Sequence, residues 1–200
     1  MGSSPEEIQR AGEADVNLLL SSAGYEAAET LGKRFGIPYA AGFPCGLFSK
    51  QVIRALKKCA LTGENVITYR NRSANPDSTS PGRLPEEFQA LEKNFLIGEA
   101  VISQSIREAL RLEFGLRVRL LCCLDTPGDL LDRESLFLPS EEEIQEKLQG
   151  ADLVIADPMF RPVCSPSARF IPLAHEAFSG RIYRERIPDL TKAGDILYNS

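Results

Sequence analysis

Residues 94–121, NFLIGEAVISQSIREALRLEFGLRVRLL, carry an apolar run, a glycine turn, a helical periodicity, a second glycine and another apolar run in unbroken succession. Such a stretch predicts one βαβ unit. Asn94–Ile97 reads as a buried strand closed by Gly98. Val101, Ile102, Ser105, Ile106, Ala109, Leu110 and Leu112 then recur at the spacing of a helix that lays one face on a sheet. Gly115 supplies the helix stop, and Arg117–Leu124 is apolar apart from two arginines near its start. Parallel strands need a crossover connection, so the expected class is α/β: a Rossmann-like open parallel sheet with helices on both faces.

The same alternation runs through the rest of the chain. Val16–Leu20 is an apolar run ending in Ser21 and Ser22, and Gly24 to Phe35 has Ala27, Ala28, Leu31 and Phe35 on one helical face before Gly36. Ile37-Pro38-Tyr39 predicts a second strand, residues 42–46 a tight turn, and Leu47 to Leu61 a second helix. Arg70 to Leu84, RNRSANPDSTSPGRL, is rich in Pro, Ser, Asn and Gly, and Pro85–Lys93 follows as a helix with its acidic residues in the first turn. Ser140 and Glu143 form a capping box, Asp152–Asp157 and Arg169–Ala174 read as strands, and a short helix is expected near the C-terminus. The resulting division is a partial Rossmann-like unit over 1–69, a linker over 70–84, a Rossmann-like domain over 85–183 and a tail over 184–200.

Composition narrows the function classes. A net charge of -5 disfavours nucleic acid, and Arg107, Arg111, Arg117 and Arg119 are read as a solvated helix face and strand edge. No apolar run approaches the roughly 20 residues of a membrane span. Five cysteines without CxxC spacing or a signal-like start predict a reduced, cytoplasmic protein.

Ligands of open parallel sheets collect outside the carboxyl ends of the strands. That rule selects Ser21, Ser22, the 42–46 turn with Cys45, Glu99, Asp125, Asp157 and His175. Glu99 and Asp125 are the candidates for orienting or protonating roles. Cys45, between Pro44 and Gly46, is either a thiol whose pKa is lowered by convergent N–H groups or a small turn-filling residue. His175 is the only histidine, which excludes zinc sites built on two or three imidazoles. A triad of Ser22, His175 and Asp157 lacks the GxSxG that would support it. Neither GxGxxG nor GxxxxGK[ST] occurs.

The order of AAETLGKRFGIPYAAGFPCG, IGEAVISQSIREAL, KLQGADLVIAD and RFIPLAHEAFSG resembles the nitrogenase component 1 family, from about Asp15 to Tyr183. That family includes molybdenum-iron protein subunits, their cofactor-assembly scaffolds and the subunits of dark-operative protochlorophyllide reductase. Lys33-Arg34-Phe35-Gly36-Ile37-Pro38 and Ile171-Pro172 followed by His175 and Phe178-Ser179-Gly180 carry most of the resemblance. It implies a part of a three-domain subunit. It also implies a metallocluster, iron-sulfur or other, or a tetrapyrrole at the strand carboxyl ends. His175 stands at the position resembling the family's cluster histidine, and Cys45, in the loop after the next strand, is a second metal-ligand candidate by position and not by family motif, with Ser21 and Ser22 as polar groups of the pocket. The position resembling the family's cluster cysteine falls near Leu20 to Ser22, where no thiol stands. The implied partners are a second component-1-like subunit and an ATP-dependent iron-sulfur reductase, with no nucleic acid and no membrane. Two functions follow: a cofactor-binding domain in reductive electron transfer, or a non-catalytic scaffold or interaction protein that pairs with a larger component 1 partner.

Overall fold

A computed structural model describes residues 4–70, 93–127 and 129–198. The linker expected after Arg70 and the helix expected at Pro85–Lys93 fall almost wholly outside these residues. The chain opens with α1 (Pro5–Gln9), capped by a Ser4–Glu7 capping box, and a 3-10 turn. It then forms β1 (Asn17–Leu19), α2 (Tyr25–Phe35), β2 (Tyr39–Ala41), α3 (Ser49–Thr62) and β3 (Val66–Ile67). These strands make a parallel sheet in the order β1-β2-β3. Gly36 and Gly63 close both helices in the left-handed conformation at φ of 71° and 70°.

The second unit contains β4 (Asn94–Ile97), α4 (Ala100–Phe114), β5 (Arg119–Cys122), β6 (Leu136–Phe137), α5 (Glu141–Lys147), β7 (Leu153–Ala156) and β8 (Arg169–Pro172). All five strands are parallel, in the order β6-β5-β4-β7-β8. The order reverses between β4 and β7, the switch point where open α/β sheets take ligands. Two short C-terminal helices follow, α6 (Gly180–Tyr183) and α7 (Ala193–Tyr198).

Period-2 alternation assigns the faces. Leu96, Leu120, Leu153, Ile155 and Ile171 pack with α4, while Phe95, Ile97, Leu121, Val154 and Ala156 pack with Ile144 of α5 and with Leu148 at its C-cap. Helices on both faces of a parallel sheet are therefore present, as the sequence predicts. The first sheet joins the same core: Leu19, Tyr39 and Ala41 share the α4 cluster, whereas Ala40 faces Ala55 and Cys59 of α3.

Helix α4 departs from the expected one-sided amphipathic pattern. Ala100, Val101 and every residue from Ser103 to Leu110 are buried. The reason is that one face lies on β4 and β5 while the opposite face is covered by loops of the first sheet. Arg107, expected on a solvated face, is 3% exposed and pairs with Asp132. Strands β3 and β6, two residues each, were not expected from periodicity. A two-residue run is too short to show any period.

Candidate functional site at the strand carboxyl ends

Polar side chains of α4 take up backbone N–H groups from the loops of the first sheet. Glu99, 2% exposed and the N-cap of α4, accepts from Ser22 N at 2.5 Å and Ile102 N at 2.9 Å. Ser105 Oγ accepts from Phe43 N at 2.8 Å, and Glu113 Oε1 accepts from Leu47 N at 2.7 Å. Gln104 Nε2 and the Tyr69 hydroxyl both donate to Leu130 O, at 2.7 and 2.9 Å, and Gln104 Oε1 accepts from Asp132 N at 2.9 Å. Each bond satisfies a buried or part-buried polar group. Gln104, Tyr69 and Arg107 were missed as organising residues. The available signal was a cluster of polar residues inside an otherwise apolar helix.

Asp157 ends β7 and is 1% exposed. Its carboxylate accepts from Met159 N at 3.0 Å, His175 N at 2.9 Å, Ser179 N at 3.3 Å and Ser179 Oγ at 2.5 Å. The loop after β8 is thereby bound to the end of β7. Asp157 engages the backbone of His175 and not its ring, so the imagined Ser22–His175–Asp157 triad is not formed. His175 Nδ1 accepts from Ala177 N at 3.0 Å, and the ring tilts against Phe178 with centroids 5.7 Å apart. Burial lowers the imidazole pKa against the opposing pull of the Glu99, Asp157 and Glu176 carboxylates, which keeps the ring neutral at physiological pH. Burial also raises the Tyr69 hydroxyl pKa, with Glu99 adding to the effect.

The structure brings Ser22, Glu99, Asp157 and His175 to the switch point. Asp125 is exposed in the loop after β5. Ser21 N-caps the 3-10 turn after β1, where its Oγ accepts from Ala23 N at 3.3 Å. With Asn17, Leu18, Leu19 and Leu20 it lines a groove of about 320 Å³ between the β1 edge and α2. Cys45 lies at the other end of α4. Its thiol is influenced by Glu113 and Asp189, while His175 senses Glu99, so a helix of roughly 20 Å separates the two.

Cys45 does not have the lowered pKa that convergent N–H groups would give. Its own N–H donates to Phe43 O and that of Gly46 to Thr191 O, and burial pushes the thiol up to about 12. Burial raises the other four thiols as well, Cys123 to about 11. Among the described residues no three His, Cys, Asp or Glu side chains gather as a metal-binding group. The two ligand candidates, Cys45 and His175, stand at opposite ends of α4 and do not converge on one group. The burial of the Cys45 thiol predicts slow alkylation: at about pH 8 a pKa moved from 9 to 12 suppresses thiolate roughly a thousandfold. Iodoacetamide should leave Cys45 unlabelled in the native chain and modify it after unfolding in urea, as read by peptide mass spectrometry. Rapid native labelling of Cys45 would contradict this placement.

Comparison with known proteins agrees with the architecture. The sequence profile described as "Nitrogenase component 1 type Oxidoreductase" matches residues 1–158, a span that ends before His175. No curated protein matches the chain. A solved structure described as "Nitrogenase Cp1 at pH 6.5" superposes with a TM-score of 0.51 at 17% identity, covering 86% of this chain and 41% of that one. The likeness shows a shared fold, and this chain spans about two fifths of that structure's length. From the matched profile, the chain belongs to the nitrogenase component 1 type oxidoreductase family.

Proposed function

We propose that this chain is a non-catalytic scaffold of a component-1-type assembly, pairing with a larger component-1-like partner. The partner holds the metallocluster or tetrapyrrole. An ATP-dependent iron-sulfur reductase supplies the electrons, and the bound group carries the redox chemistry. This chain contributes one wall of the cavity, through Ser22, Glu99 and His175 at the switch point.

The observation that carries this reading is the placement of the donors. Cys45 and His175 stand at opposite ends of α4, and the Nδ1 of the single histidine accepts from Ala177 N. The first sheet supports pairing. It has three strands, and its β1 edge carries Leu18 and Leu20 at 38% and 43% exposure with no lysine or proline to blunt it.

A second reading, in which this chain itself binds the cofactor, is favoured by one observation. His175 lies within electrostatic reach of Glu99 at the position where open α/β sheets take ligands. Anoxic isolation from the native source separates the two. The scaffold reading predicts co-elution with a larger polypeptide that keeps the iron or the tetrapyrrole band after the two are dissociated. Stoichiometric iron or chromophore remaining with this chain would establish the second reading instead.

A further inference from the structure

The two sheets share one plan, and the first stops halfway through it. In the second sheet β4 has β5 and β6 on one side and β7 and β8 on the other. In the first, β1 has β2 and β3 on one side and, among the described residues, no strand on the other. Asn17 N donates to Pro38 O and Gly42 N to Leu19 O, so residues 17 and 19 turn their main-chain groups to β2. Successive residues of a parallel strand bond opposite neighbours, which leaves the N–H and C=O of Leu18 pointing outward. The side chains along this edge are apolar, with Leu18 and Leu20 left 38% and 43% exposed.

Beside this edge lies the groove of about 320 Å³ between β1 and α2. Its helical wall includes Gly24, Ala27 and Ala28, which carry at most a methyl group and so leave the space open. A cavity of roughly 150 Å³ holds a benzene ring, so this groove has room for two large apolar side chains. On an extended segment these are residues i and i+2, about 6.6 to 6.8 Å apart on one face. Asn17 also lines the groove, and its Nδ2 is shielded from water with no hydrogen-bond partner among the described residues. A buried amide without an acceptor is costly, and a main-chain carbonyl laid along the edge supplies one. No lining residue is charged, so the complement of the groove is an uncharged segment.

We propose that β1 is completed by an extended, apolar strand of the larger partner, running parallel to β1 in the place that β7 takes beside β4. Strand β7, Leu153–Ala156, is buried throughout and shows the composition that such a position takes. A second copy of this chain does not fit. A two-fold axis would pair β1 with β1 antiparallel, and the residues that β1 turns to the helix, Asn17 and Leu19, are already set against its own α2, with Leu19 4% exposed and in contact with Gly24. The groove would stay empty, and two edges of three residues bury far less than the roughly 1,200 Å² of a stable dimer. An added strand draws its affinity from main-chain hydrogen bonds instead of area. The contact rests on the scaffold reading for the identity of the partner and on the β1 edge for its place and chemistry.

The test compares the full chain alone with the anoxically isolated assembly that contains the larger polypeptide. The Leu18 amide should exchange readily in the chain alone and at least about tenfold more slowly in the assembly, while the amides of β2 stay protected in both. Leu18→Pro removes the outward N–H and leaves the β1–β2 ladder whole, so the chain should keep its urea midpoint while the co-eluting polypeptide falls about tenfold or more. Leu18→Lys, which keeps the main chain and adds the charge that blunts natural edges, should act alike if the proline variant does not fold. Ala27→Phe should fill the groove from the helix side and also weaken the pairing, and Asn17→Ala should weaken it by about fivefold. Leu61→Lys, at a leucine 86% exposed on α3, should leave it unchanged. A folded Leu18→Pro chain that still co-elutes in full would overturn this contact and leave the scaffold reading standing. Absence of any larger polypeptide with the parent chain would overturn both. A Leu18 amide already protected in the chain alone would overturn the partner strand, with a second copy as the occupant if that protection is lost on dilution and a segment of the same chain if it is not.

Discussion

An Asp132→Asn variant is expected to lose about 3 kcal/mol of stability, because breaking one side of a buried ion pair leaves Arg107 with only the Glu108 carboxylate, 3.6 Å from its Nε, as counter-charge. Arg107, at 3% exposure, bonds Asp132 through both terminal nitrogens and reaches Ser135 Oγ at 3.2 Å. Asp132 also accepts from Ser135 N at 3.0 Å and Ser135 Oγ at 2.6 Å. Burial pushes the Asp132 carboxyl up, but its bonds to Arg107 and Ser135 outweigh that and hold it below the usual carboxylate range. A carboxyl lowered on folding stabilises above its unfolded pKa near 4, and that contribution fades as pH falls through the folded value. Urea unfolding should therefore show a large gap between variant and parent at neutral pH that narrows in acid. The double change Arg107→Met with Asp132→Leu should cost less than Asp132→Asn alone. A loss below about 1 kcal/mol in the single variant would place the pair among weak surface bridges.

The second large effect belongs to Glu99→Ala. It removes the N-cap bond to Ile102 N at the start of α4, a loss of roughly 1 kcal/mol, and leaves the part-buried N–H of Ser22 without its acceptor, roughly 1 to 3 kcal/mol more. The total should be about 2 to 4 kcal/mol by urea midpoint. Because Ser22 lies 77 positions away in the turn that follows β1, its amide should also exchange faster with solvent than those of β5. Glu99→Gln keeps one oxygen acceptor and should lose about half as much. An Ala variant as stable as the parent, with Ser22 still protected, would show that the loop does not depend on this carboxylate.

Much of the fold was legible because strong local signals agreed with the final packing. Strand β4 appears at its expected limits, Gly36 and Gly115 end their helices, and the Ser140–Glu143 capping box forms as read. Short-range chemistry decided those features. Arg107 misled because periodicity cannot reveal that a loop 25 residues later supplies its counter-charge. The site was legible in placement and not in chemical state. Strand ends located Ser22, Glu99, Asp157 and His175, but the burial that surrounds the imidazole and raises the Cys45 thiol is a tertiary fact.

The most direct test of the scaffold account is the iron and tetrapyrrole content of the anoxically isolated assembly, compared between the natural chain and a variant carrying His175→Ala and Cys45→Ser. The account predicts the same content per assembly in both, because the ligands lie on the partner. Loss of the metal or chromophore in the variant, with the two polypeptides still associated, would contradict it.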